Sequence, residues 1–493
     1  MQLEQYFQDT GNTWISEDLF KKNHITDKKV VRREKDNVMY LTTPAISFCE
    51  AEIAVRVIDK LLEEHKTYSK PEIDYYIDWY ETVSGFKLAY EQRQAVHMAM
   101  NNSISVLTGG PGTGKTCVLR AVDFISTQLG HKNIMYCAPT GKAARRITES
   151  TGRNARTTQK AMGYSPNSDS LKRLFANLII NDEVSIMDME TMDNFMKAVG
   201  KGTHLLFVGD VEQLPSVGPG AILRDLIDSK VIPVTKLEET FRQASDSGIM
   251  ENILRIKRGR GDLIEMDDFH FLECSSKQAQ EKIIEEYLKD VDKYGSDNVV
   301  CLTPYRRKGK ISSNTLNQIL QKLLNPIGSK PFLRTEVIES GETEKRKVIF
   351  QVGDPVMQLE NRTECANGDV GKIISASERG VCVEYVDGKV FYPIPELGQI
   401  TLAYAMSVHK SQGSEYACVI SPVLPEHIDM LNRNMLYTAV TRAKKECILI
   451  GDKELVPKAL ETEAGYERIT FLAEEIYLEY KKRILLKHLK KVS

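Results

Sequence analysis

The chain has 493 residues, 42% hydrophobic and 27% charged, too many for one core and suggestive of about three domains. With 66 Lys and Arg against 68 Asp and Glu, a bulk basic surface is excluded, so any nucleic-acid affinity would come from a local basic track. Nine cysteines without a Cys-x-x-Cys pair argue against a zinc site, an iron–sulfur cluster and a disulfide framework, and most read as buried small hydrophobes.

Residues 1–85 read as a mostly helical accessory module. The start Met1 to Gln5 lacks the parts of a signal peptide, and no run is apolar enough to span a bilayer, so the expected location is cytoplasmic. Ser16-Glu17-Asp18 has the form of a helix start. Residues 51–62 place Ile53, Val55, Ile58, Leu61 and Leu62 on overlapping helical faces.

From 86 to 235 strands and helices alternate. The strand candidates are 104–107, 134–138, 178–180 and 204–208. Short apolar strands between helices predict a parallel sheet covered on both faces. Ligands of such sheets sit at the carboxyl ends of the strands. There the sequence places Thr140-Gly141-Lys142, Asp182-Glu183 and Gly209-Asp210.

The first strand candidate feeds Gly109-Gly110-Pro111-Gly112-Thr113-Gly114-Lys115-Thr116, and a helix pattern follows. Strand, glycine loop and helix in this order make a phosphate loop. Its glycines let backbone N–H groups wrap an anion. Lys115 can reach the β- and γ-phosphates, and the Thr116 hydroxyl can ligate Mg²⁺. Asp182-Glu183 can simply cap a helix. After a phosphate loop the pair reads instead as Asp182 holding Mg²⁺ and Glu183 orienting the attacking water. Gln213 follows the next strand and can hydrogen-bond the γ-phosphate or that water.

A second alternating region has strand candidates at 299–302, 417–420 and 447–450. Between about 327 and 400 the pattern turns to short β-runs with turns at Asn367-Gly368-Asp369 and Asp387-Gly388. This predicts a small β-barrel inserted in a second α/β domain. The tail from Lys481 to Lys491 is basic and interleaved with Ile484, Leu485, Leu486 and Leu489, and reads as a solvated helix face. Arg242 and Arg442 each sit in mixed apolar and polar surroundings. Either could stabilise transition-state charge or form a surface ion pair.

Taken in order, Leu107 to Thr116, Ala138-Pro139-Thr140-Gly141-Lys142-Ala143-Ala144, Asp182 to Asp188, Gly209 to Gly220, Ser407 to Glu415 and Leu436 to Ala443 resemble the motifs of RecD-like DNA helicases of superfamily 1, B class. The likeness runs from about residue 40 to 452. It implies two RecA-like domains with ATP between them, single-stranded DNA across their tops, and 5′→3′ movement. It also implies a first RecA-like domain over 86–235, with a short hairpin insertion at about 163–176. The second would comprise 236–326 and 401–465, with a barrel of the Src-homology-3 kind at 327–400 and a basic helix at 466–493.

By motif matching, Gln92 would read adenine, and Gly110, Pro111, Gly112, Thr113, Gly114, Lys115 and Thr116 would hold the phosphates. Arg242 and Arg442 would reach the γ-phosphate, and Glu415 the ribose. Thr140, Lys142 and His409 would lie near the DNA backbone. Tyr305 and Phe241 are candidates for base stacking. Asn181 stands where the family carries an aliphatic residue, which implies a wetter strand edge. Gln159 replaces a common His, and the insertion after Gly163 is short, which weakens the case for strand separation.

The resemblance thus implies an ATP-dependent DNA helicase or translocase with Mg²⁺, acting in repair or recombination. Single-stranded and tailed duplex DNA would be its partners. It would work as a monomeric motor without a membrane, with protein contacts through the N-terminal module or basic tail. A translocase that does not unwind, a motor subunit of a repair nuclease, an ATP-switched DNA-binding module and a small-molecule kinase are the rival readings.

Overall fold

The computed structural model describes residues 2–163, 171–239, 246–340, 343–362, 364–365, 367–386, 388–462 and 468–492. By contacts the chain divides into two units. One holds 1–139, 144–242 and 464–493; the other holds 140–143 and 243–463.

The first unit opens with the helices Leu3–Thr10 and Glu17–Lys22 and the strands β1 (Ile15–Ser16), β2 (Val31–Lys35) and β3 (Val38–Thr42). The strands pair antiparallel in the order β1-β3-β2. A mostly helical module was expected here, without this sheet. The β2–β3 hairpin turns on Asp36 and Asn37, both at positive φ, a conformation these short polar side chains tolerate. The Ser16 hydroxyl accepts the Leu19 N–H at 3.4 Å and caps the expected helix. The amphipathic helix runs Pro44–Leu61, earlier than predicted, because Thr43 caps it and Pro44 suits its first turn. Its buried face, Ile53, Ala54, Val57 and Ile58, packs on the helices Met189–Ala198 and Leu472–Val492.

The main sheet of this unit contains β4 (Ile104–Gly109), β5 (Ile134–Ala138), β6 (Ala155–Thr157), β7 (Leu178–Asn181), β8 (His204–Gly209) and β9 (Val234–Leu237). All pairs are parallel, in the order β6-β5-β7-β8-β4-β9. β4 and β8 are buried at every residue. The two strands missed in the sequence, β6 and β9, are the edges. Their polar, partly exposed residues make no apolar run.

Asn181 at the end of β7 does not wet the strand. It is 1% exposed and its Oδ1 accepts the Thr158 hydroxyl at 3.3 Å. Of the expected insertion at 163–176, residues 164–170 lie outside the described residues.

The second unit carries β10 (Phe269–Glu273), β11 (Val299–Thr303), β12 (Phe332–Ile338), β13 (Lys345–Gln351), β14 (Pro355–Gln358), β15 (Val370–Ser377), β16 (Gly380–Tyr385), β17 (Gly388–Pro393), β18 (Ile400–Leu402), β19 (Ala405–Ser407), β20 (Tyr416–Val423) and β21 (Ala443–Gly451). A parallel sheet has the order β10-β21-β20-β11-β19. Between β11 and β19 the chain forms an antiparallel sheet, β17-β16-β15-β14-β18, and the ribbon β12–β13. The two α/β halves are thus RecA-like parallel sheets, the second interrupted by an antiparallel β-region.

Asn317 fixes the return from that region. Its amide donates to the carbonyls of Leu402 and Ala405 at 2.8 and 2.9 Å and accepts the Ala405 N–H at 2.7 Å. All nine cysteines are free. Five are buried, and burial pushes the Cys137 and Cys301 thiols up to about 12. Among the described residues no helix is long and apolar enough to cross a membrane.

Candidate nucleotide-binding site

The phosphate loop leaves β4 and enters the helix Lys115–Gln128. Gly112 and Gly114 lie at φ 75° and 83°, where a side chain would be strained. Gly109 has no room for a Cβ, which would sit 3.0 Å from the Leu237 carbonyl oxygen. The Thr113 hydroxyl donates to the Gly110 carbonyl at 2.8 Å and braces the turn. The Lys115 ammonium lies over the loop, donating to Gly109 and Gly110 carbonyls at 2.5 and 3.0 Å. Thr116 follows on the first turn of the helix.

Gln92 is tied to this loop from behind. Its Nε2 donates to the Thr113 carbonyl at 3.1 Å, and its Oε1 accepts the Ala89 N–H at 3.0 Å. It is 3% exposed, so both ends of the amide are engaged within the protein.

The acidic pair ends β7. The Asp182 N–H donates to the Cys137 carbonyl at 2.9 Å, which joins the ends of β7 and β5. Enclosure, and then the neighbouring Glu183, push the Asp182 carboxyl up; Lys115 and Arg146 oppose this. The Asp182 Oδ1 accepts the Glu183 N–H at 2.8 Å. Glu183 itself stands at φ 56°, a left-handed conformation that costs a non-glycine residue roughly 1 kcal/mol or more and is a mark of functional turns. Arg146, unremarked in the sequence, is legible only through this electrostatic pairing.

The next strand brings Gln213 alongside. Gly209 ends β8, and a Cβ there would lie 3.2 Å from the Ser185 nitrogen and 3.4 Å from the Val184 nitrogen. The turn after Glu183 therefore packs directly on the end of β8. Asp210 holds the following loop by accepting the Glu212 N–H at 3.1 Å on its carboxylate. Gln213, 7% exposed, lines a small cavity with Ser185, Pro215 and Arg224. The loop, the acidic pair and Gln213 thus gather at the carboxyl ends of three parallel strands. Thr140 follows β5, where its hydroxyl accepts the Ala143 N–H at 3.3 Å and starts the helix Gly141–Thr151; Lys142 lies on its first turn.

In the second unit Arg442 is 3% exposed. Its guanidinium donates to the carbonyls of Thr438 and Ser414 at 3.2 and 3.3 Å and to the Thr441 hydroxyl at 3.0 Å. Glu415 pairs with Lys444 at 2.9 Å. His409 lies on the short turn Val408–Ser411, where the next residue, Lys410, donates to Asn367 Oδ1 at 2.8 Å. Enclosure and Arg306 push the Lys410 ammonium down. Arg306 and Arg307 both pair with the buried Glu339, Arg307 at 3.3 Å. Tyr305 stands edge-on to His427 with ring centroids 5.6 Å apart. Arg242 and Phe241 lie outside the described residues.

A phosphate loop, an acidic pair and a glutamine loop on one parallel sheet define a phosphate-loop nucleotide-binding protein. Residues 87–277 match the AAA domain family, and residues 402–450 match the UvrD-like helicase C-terminal domain. The chain is 34% identical over 369 residues to the ATP-dependent RecD2 DNA helicase of Deinococcus radiodurans, covering 74% of this chain and 49% of that protein. It is 28% identical over 420 residues to the RecBCD enzyme subunit RecD of Mycobacterium tuberculosis, covering 75% and 70%. For the same subunit of Haemophilus influenzae the figures are 26% over 500 residues, 82% and 76%. The chain spans about half the length of the Deinococcus relative. These likenesses are to the RecD-like helicases of superfamily 1.

Proposed function

We propose that this chain hydrolyses ATP to move 5′→3′ along single-stranded DNA, and that it opens duplexes carrying a 5′ tail. The observation that carries this reading is the convergence of Lys115, Asp182, Glu183 and the Gln213 loop at the carboxyl end of one parallel sheet, in a chain whose residues 402–450 match a UvrD-like helicase C-terminal domain.

In this reading residues 86–235 form the first motor domain, and 236–326 with 401–465 form the second. The β-region within 327–400 serves as a barrel of the Src-homology-3 kind, flanked overall by the modules at 1–85 and 466–493. Lys115 holds the β- and γ-phosphates, Glu183 orients and polarises the attacking water, and Gln213 hydrogen-bonds the γ-phosphate or that water. Arg242 and Arg442 stabilise charge on the γ-phosphate. Glu415 contacts the ribose, and Thr140, Lys142 and His409 follow the DNA backbone. The Thr116 hydroxyl and Asp182 carboxylate are hard oxygen donors suited to Mg²⁺, and an adjacent cation would offset the crowding of Asp182 by Glu183. Bound there, Mg²⁺ would neutralise charge developing on the β- and γ-oxygens. DNA affinity resting on phosphate contacts is tolerant of sequence and falls steeply with salt. The work is that of a monomeric cytoplasmic motor in repair or recombination.

The test is a pair of measurements on the full chain. DNA-stimulated ATP turnover is expected in the parent and absent in Lys115→Ala. Unwinding is expected for a duplex with a 5′ tail and not for one with a 3′ tail. Turnover without unwinding of either substrate would leave a single-strand translocase. No turnover with any DNA would overturn the reading.

A further inference from the structure

The loop that carries Gln213 has no regular secondary structure between β8 and the helix Ile222–Asp228. It contains two glycines and two prolines between residues 213 and 220. Such a segment needs an external brace to hold one conformation. The brace comes from far along the chain. Arg468 Nη1 donates to the Ser216 hydroxyl at 3.0 Å, to the Gly218 carbonyl at 3.1 Å and to the Gly220 carbonyl at 2.7 Å. Its Nη2 donates to the Ser216 carbonyl at 2.5 Å. One guanidinium thereby satisfies four oxygens of one loop.

The guanidinium is fixed from the other side. A Cβ on Gly11 would lie 2.2 Å from its central carbon, so only glycine leaves room for it. The Gly11 carbonyl in turn accepts the Gly220 N–H at 2.9 Å. The residues after Arg468 are bound as well. The Ile469 carbonyl accepts the Thr13 N–H at 3.0 Å, and Arg224 donates to the Arg468 carbonyl at 3.2 Å and the Thr470 hydroxyl at 2.7 Å. Arg224 also lines the cavity shared with Gln213, Pro215 and Ser185. The segment at 468–470 is thus bonded to the glutamine loop and to Arg224, which shares the cavity lining with Gln213 and Ser185.

We propose that Arg468 is a positioning residue for ATP hydrolysis, which locks the 215–220 loop so that Gln213 is held beside the acidic pair. The proposal rests on the hydrolytic reading above. Because the Arg468 guanidinium donates to the 216–220 loop and to none of the phosphate-loop residues, its removal is expected to spare nucleotide binding and slow the chemical step. Misplacement of a reacting group by about 1 Å can cost about 10²-fold.

The test compares the parent with Arg468→Ala, Arg468→Lys and Gly11→Ala in the full chain. It measures kcat and KM for ATP, binding of a fluorescent ATP analogue, and thermal melting. In Arg468→Ala, kcat is expected to fall at least about tenfold while KM and analogue affinity stay within about twofold. Added guanidinium ion at millimolar concentration should restore turnover in Arg468→Ala and not in Lys115→Ala. Arg468→Lys keeps the charge without the forked donors and should stay slow. Gly11→Ala displaces the guanidinium from behind and should lose kcat in the same way, which carries the test if Arg468→Ala fails to fold. A kcat within about twofold of the parent, or a loss that only tracks the unfolded fraction and is not rescued, overturns the proposal. If the parent itself shows no turnover, the hydrolytic reading fails. Amide exchange at 211–221 then decides the lock, since faster exchange in Arg468→Ala supports it and unchanged exchange overturns it.

Discussion

Glu183 and Asp182 are adjacent in sequence but have different surroundings. Glu183 stands in the left-handed region, while the Asp182 carboxylate accepts the Glu183 N–H and is pushed up first by burial. This division fits one carboxylate that holds a cation and one that meets water. Replacing Glu183 by Gln keeps the shape and removes the carboxylate proposed to act on the water. Turnover of ATP is expected to fall about 10²–10⁴-fold with nucleotide affinity retained, read by steady-state hydrolysis beside equilibrium binding. Equal loss of both would mean that Glu183 acts on the fold and not on the water.

At the scale of elements, Asp354 shows how the antiparallel region is fastened within the second unit. Its carboxylate accepts from Gln321 Nε2 at 2.5 Å, Asn325 Nδ2 at 2.7 Å, the Gln351 N–H at 2.8 Å and the Tyr404 hydroxyl at 2.9 Å. These donors come from the helix Ser313–Leu324 and its cap, from the end of β13, and from the link between β18 and β19. Asp354→Ala leaves four donors without their acceptor. A loss of about 3 kcal/mol or more is expected in urea denaturation of the unit. A loss under about 1 kcal/mol would mean that water replaces the carboxylate.

The legible and illegible elements divide on physical grounds. Central strands such as β4 and β8 are buried at every residue because both faces are covered, and their mainly apolar runs are evident from composition alone. The edges β6 and β9 and the N-terminal hairpin β2–β3 carry Arg, Lys and Glu, and their pairing partners lie far away in the chain or on one exposed face. Of the site, Lys115 and the acidic pair could be found because their spacing is local. Gln92 is named by motif matching, but its hold on the Thr113 carbonyl, Arg146 near Asp182, and Arg468 beneath the glutamine loop could not be found, because each depends on contacts between distant segments.

For the molecule as a whole, Glu50 joins the two ends of the chain inside the first unit. Its carboxylate accepts from the Thr13 hydroxyl at 2.7 Å, Trp14 Nε1 at 2.8 Å and the Phe471 N–H at 3.3 Å. Enclosure outweighs these donors and pushes the carboxyl up to about 7. Below the ordinary carboxylate range both folded and unfolded forms are protonated. Between about 4.5 and about 7 only the folded form keeps the proton, and above about 7 neither does. Stability from this group therefore falls as pH rises through that window and is level beyond it. Asp225, pushed up to about 6 by enclosure against the pull of Arg224, adds in the same direction at lower pH. The melting temperature is expected to drop between pH about 5.5 and about 7.5, and Glu50→Gln should flatten the upper part of that curve. A parent curve that rises through this range would refute the assignment.

The packing of Leu472 and Ile476 against the helix Pro44–Leu61 also sets a timetable for synthesis. A ribosome releases that early helix long before residue 472 exists, and at about 5–20 residues per second the delay is on the order of tens of seconds. Throughout that interval the nascent polypeptide carries Ile53, Val57 and Ile58 without their last cover. Birth of this protein thus includes a waiting period in which a sticky stripe stays open until the helix Leu472–Val492 arrives to seal it.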